Sequence, residues 1–269
     1  MVVPTNIDTV PSADMVVMSK IEKKLELIAQ LLAKAESTTP EEAEALTEHA
    51  ERLMIRYGIE QALIDERRAK EGNAHEQIIE KEIIFSGTYA LDLHMMGSSV
   101  VRSLGSLNAF RRSYKRTRQE GLMIVGFESD VNQALTLVAS LELQAMVALR
   151  TFWASKRKEL QEDGGVVWQY LSETEKRRMR VSFIHGFTAA VSARIKSNRN
   201  QAVAESGTGT ELVLRSRKER VDEFMEAKNL PESRPRRLKL DYTYYDGVDA
   251  GENANTGEKA MTPGRTLGA

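Results

Sequence analysis

Apolar residues return every three or four positions along most of this chain, the spacing that turns one face of a helix toward a core. Ile21, Leu25, Ile28, Leu32 and Ala35 form the first such stripe, and Ser19 with Glu22 three residues later is the capping box expected to start it. Thr39, Pro40 and Glu42 open a second helix with the stripe Ala43, Leu46, Ala50, Leu53 and Tyr57, for which Gly58 supplies a C-terminal stop. Two amphipathic helices joined by so short a loop predict an antiparallel hairpin. Residues 59–70 read as a third helical stretch capping it, and residues 71–73 as a linker.

Beyond the linker the texture changes. Ile78, Ile79, Ile83, Ile84 and Phe85 predict a strand. Residues 89–104 have helical spacing, and residues 107–114 and 122–127 predict a β-hairpin with a charged connection over 115–121. Ser129 or Asp130 is the expected N-cap of a long helix that runs through Leu135, Val138, Leu141, Ala145 and Leu149 towards Lys158 and breaks at Gly164 and Gly165. Met179, Phe183, Phe187, Val191 and Ile195 predict another long helix over 172–198. A helix over 218–228, a strand over 238–245 and a tail of small residues complete the pattern. The fold class is α+β and predominantly helical. It comprises a flexible N-terminal arm (1–17), a helical hairpin (18–72), and a larger domain (75–269) with a small, mostly antiparallel sheet flanked by long helices.

The ordered run Lys20-Ile21, Leu31-Leu32-Ala33-Lys34-Ala35-Glu36-Ser37-Thr38, Glu41-Glu42-Ala43 and Leu53-Met54-Ile55-Arg56-Tyr57-Gly58-Ile59 resembles the N-terminal signature of a bacterial and phage family, domain of unknown function 2786. The resemblance covers about the first sixty residues. It implies a helical hairpin followed by a second uncharacterised domain, with a phage origin. Three later segments resemble that second domain: residues 125–131, residues 180–187, and the small-residue tail with Tyr245, Gly247, Ala250 and Gly251. The family supplies an architecture and no catalytic residue.

Composition narrows the chemistry. The 269 residues are 41% hydrophobic and 29% charged, and 38 basic against 39 acidic residues leave a net charge of -1, so overall charge selects no partner. With no cysteine, disulfides, thiolate zinc sites and cysteine nucleophiles are excluded, and a cytoplasmic location is expected. No signal peptide or membrane span is predicted. His49, His75, His94 and His185 are scattered without metal-ligand spacing. His185 reads as a satisfied boundary residue beside its helix stripe. No cofactor or metal is expected.

Charge is nevertheless segregated. Between residues 97 and 119 there is no acidic residue, while Arg102, Arg111, Arg112, Lys115, Arg116 and Arg118 are interleaved with Phe110 and Tyr114. Cations displace counterions from phosphates and aromatic faces stack on unpaired bases, so Arg111, Arg112, Tyr114, Lys115, Arg116 and Arg118 are the candidate nucleic-acid contacts. A second acid-free stretch carries Lys176, Arg177, Arg178, Arg180, Arg194, Lys196 and Arg199, and a third cluster is Arg234, Arg236, Arg237 and Lys239. The competing reading is that these are solvated faces pairing with the acidic hairpin. In the tail, Gly251, Gly257 and Glu258 depart from phosphate-loop spacing. Gly247, Ala250, Gly251 and Ala254 read instead as a surface that a neighbouring element can approach closely.

Three functions stay open, and the sequence does not decide whether the chain is an enzyme. The leading expectation is a non-enzymatic protein that contacts DNA or RNA through the basic β-hairpin and uses the helical hairpin as an interaction module. One alternative is a metal-dependent hydrolase or nuclease using Asp241, Asp246, Asp249 and Glu252. The other is a non-enzymatic phage factor that binds a host protein through the helical hairpin. A membrane partner is not expected.

Overall fold

The computed structural model describes residues 40–72, 75–114, 117–162, 166–229 and 238–253, with helical positions also at Lys23, Glu26, Leu27, Ile28, Gln30, Leu31 and Lys34. In chain order the elements are α1 (Pro40–Lys70), β1 (Ile78–Ser86), α2 (Ala90–Leu104), β2 (Asn108–Tyr114), β3 (Gln119–Phe127), α3 (Glu128–Glu162), α4 (Val166–Tyr170), α5 (Glu173–Glu205), α6 (Thr210–Glu226) and α7 (Thr243–Asn253). The class is α+β and predominantly helical, as the patterning predicts. The N-terminal arm and the box at Ser19 and Glu22 lie outside the described residues.

The three strands form one antiparallel sheet in the order β1-β3-β2. Being central, β3 is buried on both faces from Gly121 to Phe127 and its sequence is almost continuously apolar there. Leu122 and Ile124 face a main core built with Leu93, Met96 and Val100 of α2, Val138 and Leu141 of α3, and Phe187 and Val191 of α5. On the opposite face Val125 and Phe127 pack with Val221 of α6, and Phe110 and Phe224 lie against them. The β2–β3 connection shrinks to residues 115–118, because Gln119, Glu120 and Gly121 already pair with Tyr114, Ser113 and Arg112.

Two helix boundaries differ from expectation. Gly58 does not end a helix: α1 runs unbroken through it. What its missing side chain provides is room for Gln133 of α3, whose side-chain amide would sit 2.7 Å from an added Cβ. In the amide orientation that its partners favour, Gln133 donates to the Met54 carbonyl at 3.0 Å. Nor does Asp130 cap α3. The helix begins at Glu128, and Ser129 gives its N–H (2.5 Å) and hydroxyl (2.9 Å) to Glu76, while Asp130 is drawn inward to an arginine. Ser172 with Glu175 closes the start of α5 from both sides: Glu175 N–H donates to the Ser172 hydroxyl at 3.2 Å and Ser172 N–H to the Glu175 carboxylate at 2.9 Å.

The expected strand over 238–245 is a helix start instead. Asp241 accepts the Thr243 N–H at 3.0 Å, satisfying a free donor of the first turn, and α7 follows. That helix lies along α5 at a constant offset. Thr243 donates to the Met179 carbonyl at 2.7 Å, Gly247 abuts the Phe183 backbone, and Gly251 abuts Phe187 and Ala190. The partner numbers rise together, so the two helices are parallel. Reciprocally, Gly186 of α5 receives the Tyr244 carbonyl, well inside the distance a Cβ would allow. The tail glycines thus act as the expected close-packing surface, and the segments 180–187 and 245–251 prove to be the two sides of one contact. Ala254 lies outside the described residues.

By length and composition, α3 has a window apolar enough to cross a membrane. Its buried residues Val131, Ala134, Leu137, Val138, Leu141, Ala145 and Leu149 face the protein core.

Candidate functional site: the basic surface

On the β-hairpin, each described arginine side chain of β2 has a carboxylate. Arg111 donates from Nε and Nη2 to Glu120, both at 2.7 Å, and this bond holds its guanidinium above the usual arginine range. Arg112 Nη1 reaches Glu82 at 3.3 Å, and the Tyr114 hydroxyl donates to the same carboxylate at 2.8 Å. Phe110 is partly buried and packs against the cluster of Val125, Phe127 and Val221. Lys115 and Arg116 lie outside the described residues. Arg118 is exposed at the turn, where its carbonyl accepts the Gly87 N–H at 2.9 Å.

The connection between β1 and α2, whose Gly87 meets that turn, is reached by the second basic stretch. Arg177 Nη2 donates to the Thr88 carbonyl at 3.4 Å, and next to it Tyr89 is pushed up in pKa by burial, against the pull of Arg180 and Arg177. Arg180 lies over the ring of Trp153 (4.7 Å), and Lys176 over that of Trp168 (4.4 Å). Not all of this stretch reaches the surface. Arg194 donates to the Gly251 carbonyl at 2.7 Å, fastening α7, and burial lowers the pKa of Arg199, with Asp130 and Glu211 opposing. Of the third cluster, Arg234, Arg236 and Arg237 lie outside the described residues.

The four carboxylates weighed for metal chemistry do not converge among the described residues, where no group of three or more histidines, aspartates and glutamates is placed to hold an ion. Asp241 caps α7 and lies 3.6 Å from Arg178. Burial raises the pKa of Asp246, with Lys156 opposing.

The most concentrated charge is elsewhere, and residue spacing gave no sign of it. Arg217 of α6 is 2% exposed and reaches Asp65 of α1 (2.9 Å), Glu76 before β1 (3.1 Å) and Asp130 of α3 (3.3 Å). Its guanidinium carbon stands 3.8 Å from the centre of the Phe127 ring. Burial pushes the Asp130 carboxyl up, with Arg217 pulling the other way. Asp65 also takes the Glu76 N–H at 2.7 Å and lies 3.2 Å from His75. Beside this centre is a cavity of about 30 Å³ lined by Asp130, Arg199, Ser106 and Gln133, room for about one water.

Two histidines lie at α2, one packed against it and one on it. His185 finds Asp92 at 3.1 Å and is satisfied, as expected of a boundary residue. His94 is buried, neither ring nitrogen has a hydrogen-bond partner, and burial followed by repulsion from Arg111 pushes its pKa down to about 4, with Glu120 opposing. The folded chain therefore keeps His94 neutral at a pH where the unfolded chain, with a value near 6.5, takes up a proton. Stability tied to this residue is complete above about pH 6.5 and falls as pH drops toward 4, by roughly 2 to 3 kcal/mol at pH 4.5. Urea midpoints measured from pH 7 to 4.5 should decline less steeply for His94→Leu than for the unaltered chain. Parallel slopes would show that His94 does not titrate in this way.

Comparison with known proteins places a family on the first two helical segments. Residues 23–61 match the family described as Protein of unknown function (DUF2786). No curated protein and no solved structure matches the chain. The DUF2786 segment ends within α1, so the same helix continues beyond it to Lys70 and brings Asp65 to Arg217.

Proposed function

We propose that this protein associates with nucleic acid without performing chemistry on it, through a basic band formed by the turn of the β-hairpin and the N-terminal part of α5. The observation that carries the reading is the bond from Arg177 to Thr88, in the turn whose Gly87 pairs with Arg118. It ties the connection between β1 and α2 to the start of α5, and the Gly87–Arg118 bond ties that connection to the β2–β3 turn, so the segments that carry Arg118, Arg177 and Arg180 are linked. Phosphate binding rests on cations free to release counterions. Arg111 and Arg112 of the hairpin already neutralise Glu120 and Glu82, and so contribute less than Arg118 and Arg177. The DUF2786 hairpin would then be the module that presents this surface to a protein partner.

Binding of a labelled oligonucleotide, followed by anisotropy over a range of salt, tests this. Arg118→Gln with Arg177→Gln should flatten the plot of log affinity against log salt by about 1.4 to 1.8 if both contact phosphate. Arg111→Gln should change it by less than either. An unaltered protein that binds neither DNA nor RNA at low salt would sink the reading.

A further inference from the structure

Trp153 and Trp168 are the two tryptophans of the chain, and they lie together at the end of the helical layer, with ring centroids 5.6 Å apart and planes at 52°. Each has a cation on it. Arg180 stands over Trp153 at 4.7 Å, Lys176 over Trp168 at 4.4 Å, and Arg157 lies 5.7 Å from Trp168. Two further exposed rings belong to the neighbouring segments. Tyr170, 82% exposed, is two residues beyond Trp168 on α4, and Tyr242, 56% exposed, carries Lys156 at 5.1 Å from its centre. The carboxylates of this end are paired locally: Glu173 with Lys176 at 3.0 Å and Glu159 with Lys156 at 2.9 Å.

Packing alone does not account for the cluster. The rings that build the core nearby are Phe152 and Phe183, stacked at 4.4 Å; the two tryptophans lie outside that stack and are partly exposed. Arg180 also connects them to the basic band, since the same side chain acts on Tyr89 beside Thr88.

Building on the nucleic-acid reading, we propose that the ligand of this surface is unpaired rather than duplex nucleic acid, its bases stacking on the Trp153–Trp168 platform while Arg157 and Arg180 neutralise the phosphates. In a duplex the base faces are covered by their neighbours, and side chains reach them only at edges or backbone. A single strand offers its faces freely, and rings together with guanidinium planes are the surfaces that take them. A lone basic band would hold both forms through their phosphates. The aromatic platform gives the preference a source.

The chain carries its own reporter, because its tryptophan emission comes wholly from this surface. The full-length protein is titrated at low salt with labelled oligo-dT of about 20 nucleotides, and separately with a duplex of similar length, while tryptophan emission and oligonucleotide anisotropy are recorded. Oligo-dT should quench the emission and bind about tenfold more tightly than duplex, and Trp168→Leu should lose about tenfold of the oligo-dT affinity while keeping that for duplex. Should Trp168→Leu fail to fold, as judged by circular dichroism, the quenching of the unaltered chain still decides, with Arg157→Gln as the second variant, expected to weaken oligo-dT binding. Oligo-dT binding without quenching, or duplex bound as tightly as oligo-dT, overturns the single-strand proposal and leaves the broader reading standing. Binding of neither oligonucleotide overturns both.

Discussion

Gly247→Val should separate α7 from α5 and lower stability by about 4 kcal/mol or more, equivalent to roughly 10 °C in melting temperature for a chain of this size. At this position even a Cβ would press into the Phe183 carbonyl, with the Phe183 Cα only 2.9 Å away. Backbone cannot rotate aside as a side chain can, so the helices must part along their length. The loss then includes the neighbouring contacts, Thr243 on the Met179 carbonyl and Arg194 on the Gly251 carbonyl. Gly186→Val should cost a similar amount from the other side, and the double substitution much less than the sum, because either alone already opens the interface. Chemical denaturation of the three variants checks this. Additive losses would mean that the two glycines serve separate contacts.

Arg217→Ala should destabilise the chain by about 3 to 5 kcal/mol, the range for removing one partner of a buried ion pair and leaving the other uncompensated. Here three carboxylates, Asp65, Glu76 and Asp130, would be left facing one another around an empty volume. Arg217→Met fills that volume without the charge and should recover little, since the carboxylates remain. Adding Asp130→Asn to Arg217→Met should recover more. The sign of the pH dependence is also set. Burial already favours the protonated form of Asp130, so in Arg217→Ala the deficit is greatest at neutral pH and shrinks as acid neutralises that carboxyl. A deficit independent of pH would show that Arg217 acts by packing on Phe127 alone.

The contrast between these two sites shows what residue order discloses. The glycine contact was legible, because Gly247, Ala250 and Gly251 are too small to fill a core and their spacing in a helix leaves a furrow for a neighbour. The stripes of α1, α3 and α5 were legible for the same reason: burial of one face imposes a period. Arg217 was not. It sits among Arg215, Lys218, Glu219 and Arg220, a run that on any helix reads as solvated, and its partner Asp65 is 152 residues away. Only the packing of α1, α3 and α6 decides which member of the run turns inward. Alternation misled at 238–245, where Leu238, Leu240, Tyr242 and Tyr244 mimic a strand, but the short capping bond from Thr243 to Asp241 commits the chain to a helix. At the functional surface, the order of residues pointed to the hairpin arginines but gave no hint that Glu82 and Glu120 lie across from them. Nor could it show that Trp153 and Trp168, separated by a helix end, would meet.

The pairing of Arg111 with Glu120 and Arg112 with Glu82 bears on a hazard of any open sheet. Both outer strands, β1 and β2, present a row of backbone donors and acceptors on one side, and Ile84 on β1 is 50% exposed. An incoming strand from a second molecule would extend such a sheet and seed aggregates. Beside β1 an incoming strand would meet the exposed charge of Lys81, and beside β2 that of Arg111 and Arg112. Charge on both outer strands thus works against backbone-to-backbone association of two molecules.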